Sequence, residues 1–279
     1  MSLSVLSVNP TLKLTSSYSL NKKPTKSTIS VVRVLPTSEP AYPAKPDVSL
    51  KKLPFYKVED TLLKPSTLQP MGKVKTQQQN FTFYLTPAQI SRINTSRYKS
   101  DKGQMEYRQQ IQVRFSLLET TCDQLDNFPS NISLKVNGKS CTLPTSMATP
   151  GPRKSASPVN ITSLCKLSPT TSNTVTVSWT VEVGKAHTIS IYEVENLTHK
   201  DLLDQLKKKG QRQPEYTKAL IKDKLSDQDQ EIATTSCKVT LACPLGKMRM
   251  NAPCRPSTCD HLQCFDAQLY LMMNEKKPK

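Results

Sequence analysis

No run of about 18 apolar residues occurs anywhere in this chain, so no membrane-spanning helix is expected. The N-terminus, MSLSVLSVNPTLKL, has no charged leading region and no apolar stretch of about seven residues, so no secretory signal is predicted. Residues 1–45 lack helical periodicity, and internal repeats are absent. The first 38 residues have no Asp or Glu but five Lys or Arg and many Ser and Thr. Organelle transit peptides share that composition. We read the segment instead as a disordered basic arm, with PTSEPAYPAKP (36–46) as its linker. The hydrophobic fraction is low, 36%, and there are 21 prolines, so much of the chain is extended or loop-like.

The 279 residues suffice for one or two domains with a sizeable core. The charge is one-sided, with 39 Lys and Arg against 22 Asp and Glu, a net +17. That balance points to a polyanionic or acidic partner, or to a plain basic surface without a specific ligand. Eight cysteines and five Asn-x-Ser/Thr sequons, at Asn80, Asn94, Asn131, Asn160 and Asn196, fit a secreted disulfide-rich glycoprotein. Without a secretory signal, and with sequons arising by chance in a Ser/Thr-rich chain, we read a reducing compartment. The cysteines are then thiols or metal ligands.

From about 81 to 195 the signals are β. FTFYL (81–85), QIQVRFSLL (110–118), ISLKV (132–136), VNITSL (159–164), NTVTVSWTVEV (173–183) and HTISIYEV (187–194) are rich in β-branched and aromatic residues. In the fifth, Val175, Val177, Trp179 and Val181 share one face. Asn137-Gly138 is a strong hairpin signal, because a type I′ turn needs positive φ at both central residues. Gly184-Lys185 is expected to turn the next pair, and ATPGPRKSASP (148–158) reads as an exposed loop. Such a set of strands argues for a sandwich or barrel. Helices follow. Thr198 and Asp201 resemble a capping box, Leu202, Leu203 and Leu206 share a face, and Gly210 suits the position after the helix. A second helix is predicted from Pro214, carrying Ala219, Leu220 and Leu225. The run KKKGQR (207–212) reads as a solvated helix end or a nucleic-acid patch. TSCKVTLACPLGKMRM (235–250), with Cys237, Val239 and Leu241 on one side, predicts a short strand, and FDAQLYLMMNEK (265–276) a short helix.

The cysteines near the C-terminus follow a partial pattern. A RING cross-brace interleaves two zinc sites through eight ligands. Cys243, Cys259, His261 and Cys264 fall on its first, third, fourth and fifth positions. Gly246 and Ala267 stand where the second and sixth ligands belong. Cys243 and Cys264 alone cannot make a tetrahedral zinc centre, so their thiols are expected to be structural, like that of Cys254.

These residues carry a resemblance. EIATTSCKVTLACPLGKMRMNAPCRPSTCDHLQCFDAQLYLMMNEKKP is similar to the SP-RING of the Siz/PIAS family of SUMO E3 ligases. LPFYKVEDTLLKPSTL (53–68), FSLLETTC (115–122) and SPVNITSL (157–164) resemble that family's PINIT domain, with Val159 in place of the motif's Ile. The resemblance implies a mainly β fold. A β-sandwich or barrel-like PINIT domain (46–196) would follow the arm (1–45), then a short helical connector (197–227) and a RING-like ββα zinc module (228–279). It implies an E3 SUMO-protein transferase that forms no covalent intermediate and works in the nucleus. Its partners would be a SUMO-conjugating E2, SUMO, and nuclear substrates such as transcription factors. Pro244 and Leu245 would contact the E2; Pro158, Val159, Asn160, Ile161 and Thr162 would carry substrate choice. One Zn2+ would be held by Cys259 and His261 with two cysteines from a W-x-C-P-x-C segment after KKP.

The sequence departs from the family in two places. It reads KKPK where that segment follows, so the zinc site is expected to be incomplete, the module partly folded and catalysis weak. No SAP-like helical segment is seen, so DNA binding through one is not expected. The alternative function is a non-catalytic nuclear interaction protein that binds transcription factors through its PINIT domain.

Overall fold

The computed structural model describes residues 43–71, 74–100, 103–144, 156–210, 212–226, 238–259 and 261–275. The basic arm, most of its linker, the 148–158 loop up to residue 155, and Cys237 lie outside the described residues.

Two antiparallel four-stranded sheets make a sandwich. One contains β1 (Tyr56–Thr67), β10 (His187–Asn196), β5 (Gln109–Leu117) and β8 (Val159–Asn160), in that order. The other orders β2 (Thr76–Phe83), β9 (Asn173–Thr180), β6 (Ser130–Val136) and β7 (Lys139–Cys141). Alternation puts Val175, Val177 and Trp179 of β9, with Ile132, Leu134 and Val136 of β6, onto one inner face. They meet Ile111, Val113 and Phe115 of β5 and Ile189 and Ile191 of β10 in one continuous core. Both sheets are open, so the architecture is a sandwich rather than a closed barrel.

β5 is buried on its outer face as well. Gln110, Gln112, Arg114 and Ser116 point away from the core and are nevertheless covered. The chain before β1 lies over them. Leu50 bridges Gln124 in parallel, and the Lys51 carbonyl accepts from Arg114 at 3.0 Å. The Arg114 guanidinium grips both carboxylate oxygens of Asp126 at 2.9 and 2.8 Å, with side chains only 6% and 4% exposed. Ser116 and Thr188 pair their hydroxyls at 2.8 Å.

The turn at Asn137-Gly138 has φ of 51° and 80°, as a type I′ turn requires, and joins β6 to β7. The turn near Gly184 differs from expectation. Its central residues are Val183 and Gly184, between the bridged pair Glu182 and Lys185, and it links β9 to β10 across the two sheets. VNITSL is a strand for two residues only, after which Thr162–Leu164 close a 3-10 turn. β1, the helix α1 (Pro87–Thr95) and the small hairpin β3 (Arg97–Lys99) and β4 (Met105–Tyr107) were not foreseen. α1 starts from a capping box of Thr86 and Gln89.

Two connector helices follow, α2 (His199–Lys208) and α3 (Pro214–Ser226). α2 has the expected box of Thr198 and Asp201, and Gly210 takes φ of 86° just beyond its end. Leu203 is buried, Leu202 half-buried and Leu206 exposed. The module then contributes β11 (Pro253–Cys254), β12 (Phe265–Asp266) and α4 (Ala267–Glu275), a ββα unit. Residues 238–241 form no strand, against expectation. Thr240 pairs through its backbone N–H and C=O with the Gln263 side-chain amide, both at 3.1 Å, instead of with a neighbouring strand. Val239 and Leu241 stay exposed.

Two outcomes follow for the sandwich. Asp126→Ala strands the Arg114 charge in the interior and is expected to cost roughly 3–5 kcal/mol by urea unfolding, whereas Arg114→Met with Asp126→Leu together costs much less. Burial pushes His187 down to about 4, the smaller effects of Glu182 and Lys185 opposing each other, while its Nε2 meets Asn127 at 3.0 Å. The unfolded imidazole therefore binds its proton first as pH falls. Stability from this residue is level above the ordinary 6.5 and drains away between 6.5 and about 4. The loss should total roughly 3 kcal/mol in unfolding curves across that window, and His187→Gln should remove it.

Candidate functional site

The module is organised by Asp266 and Cys243. Asp266 Oδ2 accepts from the Asn251 and Ala252 backbone N–H groups at 2.7 and 3.0 Å, and Oδ1 from Leu269 N–H at 3.0 Å, capping α4. Burial acts to raise its carboxyl, but N–H donors from Ala252, Leu269, Asn251 and Gln268 prevail and hold it below the usual range. Asp266 N–H in turn donates to the buried Cys243 sulfur at 3.2 Å. For Cys243 too, burial acts upward, and the N–H groups of Asp266, Gly246 and Leu245 outweigh it. Burial, then the neighbouring Cys264, Asp266 and Cys243, raise the Cys254 thiol to about 11. Hydrogen bonds hold this half of the module, where a RING would place a second metal.

Gly246 stands where a RING would have its second ligand. A Cβ on it would come within 2.5 Å of Leu269 Cδ2, so α4 packs directly against the backbone of this loop. Lys247, at φ of 57°, closes the loop by donating its N–H to the Cys243 carbonyl at 2.7 Å, and Cys243 N–H donates to Met248 at 2.7 Å. Pro244 and Leu245 are thereby held outward, with Leu245 45% and Met248 70% exposed.

Cys259 and His261 lie on a separate turn. Arg255 donates to both of their backbone carbonyls, to that of Cys259 at 3.4 Å. Cys259 is half-buried and His261 exposed. Among the described residues no group of three or more His, Cys, Asp or Glu is placed to hold a metal ion. Two donors are half the set a structural zinc takes, so these residues alone do not fit the ion.

The five residues of the VNITSL region occupy the sandwich. Val159, Ile161 and Thr162 are buried, Asn160 exposed and Pro158 half-buried. Val159 pairs with Val113, Ile161 N–H donates to the Ile111 carbonyl at 2.9 Å, and Thr162 Oγ1 accepts from Ile111 N–H at 2.8 Å. The Asn160 carboxamide accepts from the Thr162 hydroxyl and N–H at 2.6 and 3.0 Å. This stretch is thus a fastener on the edge of β5, and Pro158 and Asn160 supply its surface. It and the zinc half-site stand in different parts of the chain. The sequence reading missed Asp266 and Gln263. Asp before an apolar helical run is a capping signal that would have found the first.

A model of the PINIT domain matches residues 47–195, and a model of the MIZ/SP-RING zinc finger matches residues 239–279. Sandwich and ββα unit together therefore define a class, a PINIT domain joined to a RING-like zinc-finger module. The chain belongs to the Siz/PIAS family, which combines the two. It is 48% identical over 241 residues to the E3 SUMO-protein ligase PIAS3 of Homo sapiens, covering 85% of this chain and 38% of that protein. To the E3 SUMO-protein ligase PIAS2 of Homo sapiens it is 49% identical over 246 residues, covering 86% and 40%. The chain thus spans about four tenths of the length of these curated relatives. The crystal structure of the S. cerevisiae SUMO E3 ligase SIZ1 shares its fold, with a TM-score of 0.60, 21% identity, and coverage of 87% of this chain and 83% of that one.

Asp266→Ala should orphan several backbone donors and lose a helix cap, costing roughly 2–4 kcal/mol. The loss of α4 amide protection in hydrogen exchange would register it, while protection in β5 and β10 should stay unchanged.

Proposed function

We propose that this chain carries the substrate- and E2-engaging parts of a PIAS-type SUMO E3 ligase. The supporting observation is the outward-held Pro244-Leu245 loop, fixed by Cys243, Gly246 and Asp266, on a module joined to a PINIT sandwich. An exposed leucine on a rigid loop suits docking, because little entropy is lost on binding. A SUMO-charged E2 docks there, and a nuclear substrate such as a transcription factor is held on the sandwich near Pro158 and Asn160. The chemistry belongs to the E2 thioester and the acceptor lysine, so no residue of this chain forms a covalent intermediate. Its contribution is proximity and orientation, which in well-aligned reactions is worth up to roughly 7–11 kcal/mol. Cys259 and His261 would supply two of the four ligands a structural zinc takes. Zinc, where bound, supplies folding free energy to the module. The work takes place in the nucleus.

Discharge of SUMO from a charged E2 onto free lysine tests this. The chain is expected to accelerate it over E2 alone, weakly without added ligands, and Leu245→Ala should reduce the acceleration at least tenfold. No acceleration, or acceleration indifferent to Leu245→Ala, would overturn the reading.

A further inference from the structure

The geometry points to a positioning pair, His199 and Glu275, that locks the RING-like module to the sandwich at one setting.

α2 is bolted to the sandwich at its first turn. Leu197 is buried and its N–H donates to the Phe55 carbonyl at 2.8 Å. Asp201, the capping partner of Thr198, also meets Arg108 at 3.1 Å. Arg108 pairs with Glu195 at 3.0 Å, and its carbonyl accepts from Asn196 N–H at 2.8 Å. The start of α2 therefore moves with β10 and with the residue before β5.

The last residue of α4 reaches this same turn. Glu275 Oε1 accepts from the His199 backbone N–H at 3.1 Å, and Oε2 meets Nδ1 of the His199 imidazole at 2.6 Å. A carboxylate accepts only, so Nδ1 carries the hydrogen. Glu275 thus supplies a cap to α2 from another module, at the end where the helix dipole favours negative charge. The pair is partly sheltered, with side chains 18% and 34% exposed. Residues 209–266 separate the two helices, so no short covalent tether sets their angle. Contacts between α2 and α4 must set it. The bidentate pair, fixed both in direction and in length, is the contact that defines one angle rather than a range.

A rigid joint converts two binding surfaces into a gauge. An acceptor on the sandwich and a thioester on the module then meet at one separation, where a loose joint would average over many. This functional half rests on the ligase reading above; the mechanical half does not.

The experiment is 15N relaxation on the full chain. In the wild type, amides of β5, β10 and α4 should share one rotational correlation time. In Glu275→Ala the α4 value should fall by at least a third while β5 and β10 change little, and His199→Ala should act the same way in weaker form. Glu275→Gln should restore the shared value, since its carbonyl still accepts from His199 N–H and its amide donates to Nδ1 in the other tautomer. Unequal times in the wild type, or equal times in Glu275→Ala, would overturn the proposal. So would loss of α4 helical shifts in Glu275→Ala, because the pair would then hold the helix and not the angle. A parallel assay reads function, as Glu275→Ala should leave E2 discharge onto free lysine unchanged and lower SUMO transfer to sandwich lysines at least fivefold. Equal losses in both would overturn the positioning role. A chain that discharges nothing would sink the ligase reading, and the relaxation result would still decide the joint.

Discussion

The sandwich depends on the double burial of β5. Its inner face, Ile111, Val113 and Phe115, joins the two sheets, which any sandwich requires. Its outer face is polar and yet covered, and that is less usual. Covering Gln112 and Arg114 is tolerable only where each polar group finds a partner, since an unpaired buried charge is costly. Asp126 and the Lys51 carbonyl meet that need for Arg114. The strap before β1 is thus tied down by Arg114, by backbone hydrogen bonds to Gln124 and by the buried Val48 and Phe55, and its placement in turn keeps water from β5. The VNITSL fastener closes the opposite edge through Ile111 and Val113.

The module meets a related demand with fewer residues. It is small, so apolar burial alone cannot order its loops. One carboxylate, Asp266, collects the backbone donors of the 251–252 loop and the first turn of α4, and one thiol, Cys243, collects those of the 245–246 loop. The bonds to the Asp266 carboxylate are charge-assisted, which makes them roughly twice as strong as neutral ones.

Much of the sandwich was legible because β9, β5 and β10 alternate apolar, core-facing residues with polar ones, and Asn137-Gly138 carries its turn chemistry. The long strand β1 was not. Its burial pattern is mostly exposed and lacks alternation, because its register shifts repeatedly. Over 238–241, the described start of the strand predicted within 235–250, no strand forms for the converse reason: Val239 and Leu241 face solvent and not a core. Long-range partners such as Gln263 with Thr240 leave no local periodicity and cannot be read from neighbours along the chain.

β1 sits at the end of its sheet, and its pairing with β10 shifts register between Val58 and Asp60, between Thr61 and Leu63, and between Leu63 and Ser66. A regular free edge would offer an even row of unpaired amides to any passing strand. An edge broken three times offers only short, misaligned pieces, none long enough to zip. The bulges that shape this strand thereby make the end of the sheet a poor template for a second copy of the chain.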